Sequence, residues 1–174
     1  MQRVLSSFLS PELVAAGGAV SVSIADATGT PPVPIQRLGP YDRVLVDAPC
    51  TSDRHVVRQG KTALAHWASG AVKSNAERQL ELLRCASALV RRGGVVLYST
   101  CALAEQENDG VVAKFLKKFG KDFQVEPLLG SDGSQQGSEA CPFPSGTEIT
   151  ASGVLILPDR TPYGPMYMAK LRRR

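Results

Sequence analysis

Two cysteines in this chain stand where a nucleophile is useful. Cys50 follows Val44-Leu45-Val46-Asp47-Ala48-Pro49, and Cys101 follows Val95-Val96-Leu97-Tyr98-Ser99-Thr100. Each comes just after an apolar run that reads as a buried strand, so each thiol sits past a strand end beside polar residues. A thiolate there can attack an electron-poor carbon and form a covalent intermediate, provided nearby cations or dipoles lower its pKa. Asp47 ends the first apolar run and adds a carboxylate, a placement poorly suited to mere packing. Asp26 repeats that placement, although an Asp at a strand end often just starts a turn. The other two cysteines read differently: Cys85 lies mid-helix beside Ala86 as a small core residue, and Cys141 is an incidental loop thiol. Four thiols without CxxC spacing make no metal site. The N-terminus lacks a secretory pattern, which points to an intracellular, reducing compartment and against a disulfide framework.

The elements between these residues decide whether they meet. Ala76, Leu80, Leu83, Ala86 and Val90 recur at helical spacing, so a helix is expected over 72–90, ended by Gly93-Gly94. A helix between two buried strands makes a right-handed crossover, which brings both strand ends to one edge of the sheet. Open α/β sheets bind ligands at that carboxyl edge. Neighbouring strands lie about 4.8 Å apart, so both thiols and Asp47 are expected at a single crevice.

The rest of the chain fits an α/β domain. Residues 1–13 read as the tail of a helix closed by Pro11, and Val20 to Ala25 as a short strand ending at Asp26. Thr28 to Pro40 is a proline-rich loop, and Asp53 to Gly70 is polar and unassigned. A helix is expected over 105–119 with Val111, Val112, Phe115, Leu116 and Phe119 inward, then a strand over 123–128. Residues 129–153, rich in Gly, Ser and Pro, read as a flexible loop. Strands at 154–157 and 166–171 form an antiparallel hairpin. One domain over 1–174 follows, with a mostly parallel sheet and an antiparallel C-terminal hairpin.

Bulk properties constrain function less. Apolar residues make up 43% of the 174, enough for a core, and charged residues 21%. No apolar run approaches the roughly 20 residues of a membrane span. A net charge of +4 is only mildly basic. Arg54, His55, Arg58 and Lys61 directly follow the first cysteine and suit RNA phosphates, or else form a solvated loop. Trp67, Tyr98 and Tyr163 suit base stacking, with packing the favoured reading. Arg172-Arg173-Arg174 read as a solvated tail, and His66 receives no role.

Asp47-Ala48-Pro49-Cys50 resembles the fourth motif of the NSUN (Sun/Nop) RNA cytosine-5 methyltransferases, and Ser99-Thr100-Cys101 resembles their sixth. The helix text from Arg78 to Cys101 is similar to the family stretch between the two. Cys50-Thr51-Ser52-Asp53-Arg54-His55 and the ending Gly164-Pro165-Met166-Tyr167 resemble the branch with mitochondrial members. The likeness covers roughly residues 1–130 and 153–172; order, separation and context make it specific. It implies a Rossmann-like S-adenosylmethionine-dependent methyltransferase fold, acting on rRNA or tRNA, with a possible protein partner for targeting. By resemblance Cys101 is the nucleophile that adds to carbon-6 of cytosine, and Cys50 is the second thiol, which helps release the enzyme. Asp47 touches the base and borders the cofactor, the Pro49 carbonyl accepts from the cytosine amine, Arg54 belongs to the substrate side, and Asp26 binds the adenine end of S-adenosylmethionine. Mitochondrial residence is implied only by the branch.

The chain departs from the family slightly at Arg92, where the family often has Pro before the Gly pair, and more seriously in its cofactor motifs. The glycine-rich turn that cradles the methionine end of the cofactor, and the acidic residue that holds the ribose, have no counterpart; Gly17-Gly18 precedes a strand instead of following one. The expectation is therefore a sheet lacking its first two strands, a fragment or one part of a longer protein, which does not bind S-adenosylmethionine productively. The alternative from another class is a catalytically incomplete module that binds RNA or a protein partner. A DNA cytosine methyltransferase is the second enzyme reading, disfavoured by the thiol at Cys101.

Overall fold

The long helix is dictated by its inward stripe. Val72, Ala76, Gln79, Leu83 and Ala86 recur every three or four residues and are all buried, while Lys73, Ser74, Glu77 and Arg78 are exposed. The computed structural model describes residues 7–14, 19–60, 69–128 and 143–174. In chain order the elements are α1 (Pro11–Val14), α2 (Val33–Gln36), β1 (Tyr41–Asp47), α3 (Asp53–Gln59), α4 (Ser69–Leu89), β2 (Val90–Thr100), a 3-10 turn (Glu105–Glu107), α5 (Asp109–Phe119), β3 (Phe123–Val125), β4 (Glu148–Ile149), β5 (Val154–Ile156) and β6 (Met166–Arg173).

The sheet order is β1-β2-β6-β5-β4, with β3 also paired to β6. β1 and β2 are parallel and joined through α4, as the crossover argument requires; the remaining pairings are antiparallel. The expected C-terminal hairpin is β5–β6, and β6 also lies against β2, with Tyr98 opposite Ala169.

α4 and α5 cover one face. Val96, Tyr98, Tyr167, Ala169 and Leu171 point into it with Val111, Val112 and Phe115, and each is fully buried. Side chains of this kind stabilise the fold by roughly 1.5–3 kcal/mol apiece when taken fully out of water. Phe115 stacks on Phe119 at 4.9 Å and meets Phe123 edge-on at 5.3 Å, which docks β3 against α5. The opposite face carries Leu45, Leu97 and Lys170 in register across β1, β2 and β6. Leu45 is 65% exposed there. The apolar run 44–46 is therefore not buried on both faces as its composition suggested: β1 is an edge strand, and no described helix lies over Leu45.

Other differences have local causes. Val20 to Asp26 forms no strand, and Ile24 is fully exposed; without a neighbouring strand, β-rich composition alone makes no sheet. Helix at Ser7 and Phe8 ends before Pro11, which then opens a further helical turn. Asp53 to Gln59, unassigned from sequence, is α3. Gly93-Gly94 form the turn that lets β2 resume beside β1: Tyr41 faces Val90 but Arg43 faces Val95. Gly93 has φ +73°, and a Cβ on Gly94 would stand 2.7 Å from Val90 Cγ2 and 2.8 Å from the Asp42 carbonyl. Of the loop expected over 129–153, residues 129–142 lie outside the described set, and the remainder contains β4. The C-terminal arginines are no solvated tail. Arg172 pairs with Glu126, Arg173 donates to the Val90 carbonyl, and the Arg174 amide donates to Asp122.

Candidate active site

The two cysteines are brought together by parallel pairing. Asp47 lies opposite Ser99 at the ends of β1 and β2, and the Ala48 amide still donates to the Ser99 carbonyl at 3.0 Å. Each chain then runs on to its cysteine, and the Sγ atoms of Cys50 and Cys101 stand 3.3 Å apart. Both residues are half-buried. Burial, followed by the hydrogen bond to Cys101, pushes the Cys50 thiol up to about 11. Cys50 therefore holds its proton near neutral pH and can share it with the sulfur of Cys101. Asp47 is exposed at the same edge and accepts a hydrogen bond from Ser99 Oγ at 3.3 Å. An exposed carboxylate and two touching thiols on adjacent strand ends suit covalent attack on a ring that enters from solvent.

A buried network that sequence reasoning missed supports these loops. Gln79 Nε2 donates to the Pro49 carbonyl at 2.9 Å and to Glu107 at 2.8 Å. Glu107 also accepts from the Thr51 amide at 3.0 Å and the Thr51 hydroxyl at 2.6 Å. Asp53 accepts from the Leu103 amide at 2.7 Å and from Thr51 Oγ1 at 3.2 Å, linking the two cysteine loops. Asn108 accepts from Thr100 Oγ1 at 2.6 Å and donates to the Ala102 carbonyl at 3.0 Å. One sequence signal existed: Gln79 is a polar residue on the inward stripe of α4. Ser52, between this network and α3, holds φ +57°, a left-handed conformation that costs a non-glycine residue roughly 1–2 kcal/mol.

The remaining candidates divide. The Pro49 carbonyl already accepts from Gln79, which leaves one lone pair for any other donor. Arg54 is drawn to the C-terminal segment: its Nη2 donates to the Pro165 carbonyl at 3.2 Å. Gly164 packs so closely on its stem that a Cβ there would lie 2.9 Å from Arg54 Cγ. His55 and Arg58 are exposed. Tyr98 is core, its hydroxyl donating to the Glu107 carbonyl at 2.6 Å, whereas Tyr163 is exposed. Cys85 is buried, as expected. Lys61, His66, Trp67 and Cys141 lie outside the described residues.

Asp26 is not brought to the thiols. It accepts from the Thr28 amide at 2.8 Å and the Thr28 hydroxyl at 2.7 Å, and these bonds hold its carboxyl below the usual range. It lines an open depression with Ser74, Glu77, Arg78 and Glu81, on the side of α4 turned away from the sheet. Neither Asp47 nor the two thiols line that depression. Among the described residues no cluster of His, Cys, Asp and Glu could hold a metal, and no helix is long and apolar enough to cross a membrane.

Comparison with known proteins gives the family. The profile of the 16S rRNA methyltransferase RsmB/F family matches residues 16–172. The chain belongs to this family. A mitochondrial tRNA (cytosine(34)-C(5))-methyltransferase of Mus musculus is 34% identical over 134 residues, covering 76% of this chain and 37% of the relative. Ribosomal RNA small subunit methyltransferase F of Serratia proteamaculans is 39% identical over 88 residues, 51% of this chain and 18% of that protein. The chain thus spans well under half the length of these RsmB/F relatives. Among solved structures, NSun6 from Pyrococcus horikoshii, solved with SFG, is similar to this chain. It has a TM-score of 0.51 and 26% identity, over 74% of this chain and 29% of that one. The fold is the Rossmann-like one of S-adenosylmethionine-dependent methyltransferases.

Proposed function

We infer that this chain carries the catalytic cysteines of an RNA cytosine-5 methyltransferase that uses S-adenosylmethionine, with rRNA or tRNA as substrate. The observation that carries the reading is the 3.3 Å contact between the sulfurs of Cys50 and Cys101 at one sheet edge. Family membership supplies the substrate class and the methyl donor.

The residues suit the chemistry. Carbon-5 of cytosine is a poor nucleophile until a thiolate adds to carbon-6. Cys101 contributes the electron pair of that sulfur–carbon bond, and the ring double bond's electrons then make carbon-5 electron-rich. S-adenosylmethionine supplies a methyl group on a positively charged sulfur. Asp47, exposed beside the thiols, hydrogen-bonds the base and favours its protonation, which makes carbon-6 more electrophilic. Loss of the carbon-5 proton returns electrons to the ring, breaks the bond to Cys101 and restores the double bond. Cys50 assists this release. The lone pair left on the Pro49 carbonyl faces the cytosine amine, and Arg54, Arg58 and His55 border the RNA. Asp26 reaches the adenine end of the cofactor only if its segment is repositioned by further strands.

The test is covalent trapping on RNA that carries a cytosine analogue, in the presence of S-adenosylmethionine. Cys101→Ala abolishes the trapped species, and Cys50→Ala leaves it intact or increases it. Loss of trapping in Cys50→Ala alone reverses the two roles. Mitochondrial residence belongs to the same proposal, supported by the mitochondrial relative, and imaging of the tagged protein outside mitochondria would reject it.

The open sheet face and the distant Asp26 favour a second reading, an RNA- or partner-binding module without catalysis. Calorimetry with S-adenosylmethionine, together with RNA binding at two salt concentrations, separates the two: a module binds RNA with a steep salt dependence and no cofactor heat.

A further inference from the structure

The bonds around the thiols repeat a pattern. The residues on both sides of Cys50 are held: the Pro49 carbonyl by Gln79, and the Thr51 amide and hydroxyl by Glu107. Both neighbours of Cys101 are held too, the Thr100 hydroxyl and the Ala102 carbonyl, and both by Asn108. Glu107 and Asn108 are adjacent, the first ending the 3-10 turn and the second linking it to α5, and both are almost completely buried. A carboxylate with three donors converging on it, in a site closed to water, is costly to maintain unless each bond is made. Its location under a half-buried loop has no packing explanation that an apolar residue would not meet better.

We propose that the dipeptide Glu107–Asn108 is a positioning clasp that sets Cys50 against Cys101, Glu107 gripping the first loop through Thr51 and Gln79, and Asn108 gripping the second. Neither residue touches a thiol; each acts through the backbone that carries one. That methyl transfer needs this separation rests on the function proposed above, but the clasp itself is testable without turnover.

Burial and the contact with Cys101 hold the Cys50 proton. A loop released from Glu107 exposes the thiol, lets its pKa fall back, and raises the thiolate fraction at a given pH; each unit regained is about tenfold in rate. The experiment is the pH profile, from 7.5 to 9.5, of iodoacetamide labelling at Cys50. Peptide mass spectrometry distinguishes it from the other cysteines, and folding is checked by circular dichroism. Cys50 in the unmodified chain reacts slowly, with a rate still climbing at pH 9.5. Glu107→Gln and Thr51→Ala each label Cys50 about tenfold faster at pH 8. Asp109→Asn is the structural control: it loosens the turn at 150–153, which Asp109 holds through Thr150 Oγ1 and the Ser152 amide, and leaves Cys50 labelling unchanged. Should Glu107→Gln not fold, Thr51→Ala decides, because its side chain is only part-buried. Equal Cys50 profiles in the unmodified chain and the folded clasp variants overturn the proposal, as does an equal acceleration in Asp109→Asn. Failure of covalent RNA trapping with an intact labelling difference overturns the methyl-transfer reading and leaves the clasp standing.

Discussion

Asn108 satisfies two groups that would otherwise be stranded in the core, the Thr100 hydroxyl and the Ala102 carbonyl. Asn108→Ala leaves the Ala102 carbonyl without this donor and the Thr100 hydroxyl proton without an acceptor, although the Thr100 oxygen still accepts from the Ala102 amide, and urea unfolding is expected to show a loss of about 2–3 kcal/mol. The thiols themselves were legible in the sequence because each follows an apolar strand, and strand pairing then fixes their depth at the sheet edge. The groups that hold them were not. Glu107 and Asn108 look like ordinary polar residues at a helix start. Nothing in their spacing says that the chain folds back to place them beneath Thr51 and Thr100. The partner of Arg54 was illegible for the same reason. As a cation after the first motif it suited a phosphate, and only the approach of Gly164 and Pro165, 110 or so positions away, gives it a carbonyl to bind.

At the scale of elements, β6 is the strand on which the sheet depends. It bonds β2, β3 and β5. Its outer register is held by Glu126, which pairs with Arg172 and Lys170 across β3's extension. The hydrogen bond from Arg172, then that from Lys170, holds the Glu126 carboxyl down at about 2, against 4.5 for a free glutamate. A depressed acid stabilises the fold above its unfolded pKa, and the contribution is lost as pH falls from 4.5 towards 2. Glu126→Gln should therefore flatten that limb of an acid-unfolding curve. At pH 7 it costs no more than about 1 kcal/mol, because the pair is partly solvated. The turn before β2 is less tolerant. In Gly94→Ala the new methyl meets Val90, the Asp42 carbonyl and the Arg91 carbonyl, all under 3.0 Å. Crowding of that kind costs typically 1–3 kcal/mol, visible as a lowered Tm.

Among the described residues the sheet has one covered face and one open one. α4 and α5 seal the first, whereas on the second Leu45 is exposed and Leu97 half-buried beside the edge of β1. An open edge beside exposed apolar side chains invites pairing with another chain. The 174-residue chain is expected to bind a hydrophobic dye and to self-associate in size-exclusion chromatography. Leu45→Lys should reduce both without lowering thermal stability, since Leu45 is already exposed.

Local order was written into the chain. Helical spacing gave α4 and α5, apolar runs gave β1 and β2, and a crossover between parallel strands required Cys50 and Cys101 to emerge together. These conclusions need only neighbours along the sequence and the geometry of one βαβ unit. Partnership across the chain did not follow from the letters. Whether Val20 to Asp26 becomes a strand depends on a neighbour to bond it, and whether β1 is central or an edge depends on what lies beyond it. Arg172 and Arg173 became part of β6 because Glu126 and the Val90 carbonyl happen to lie within reach. Hydrogen bonds between distant residues carry no periodic signature, so their partners appear only when the backbone has closed.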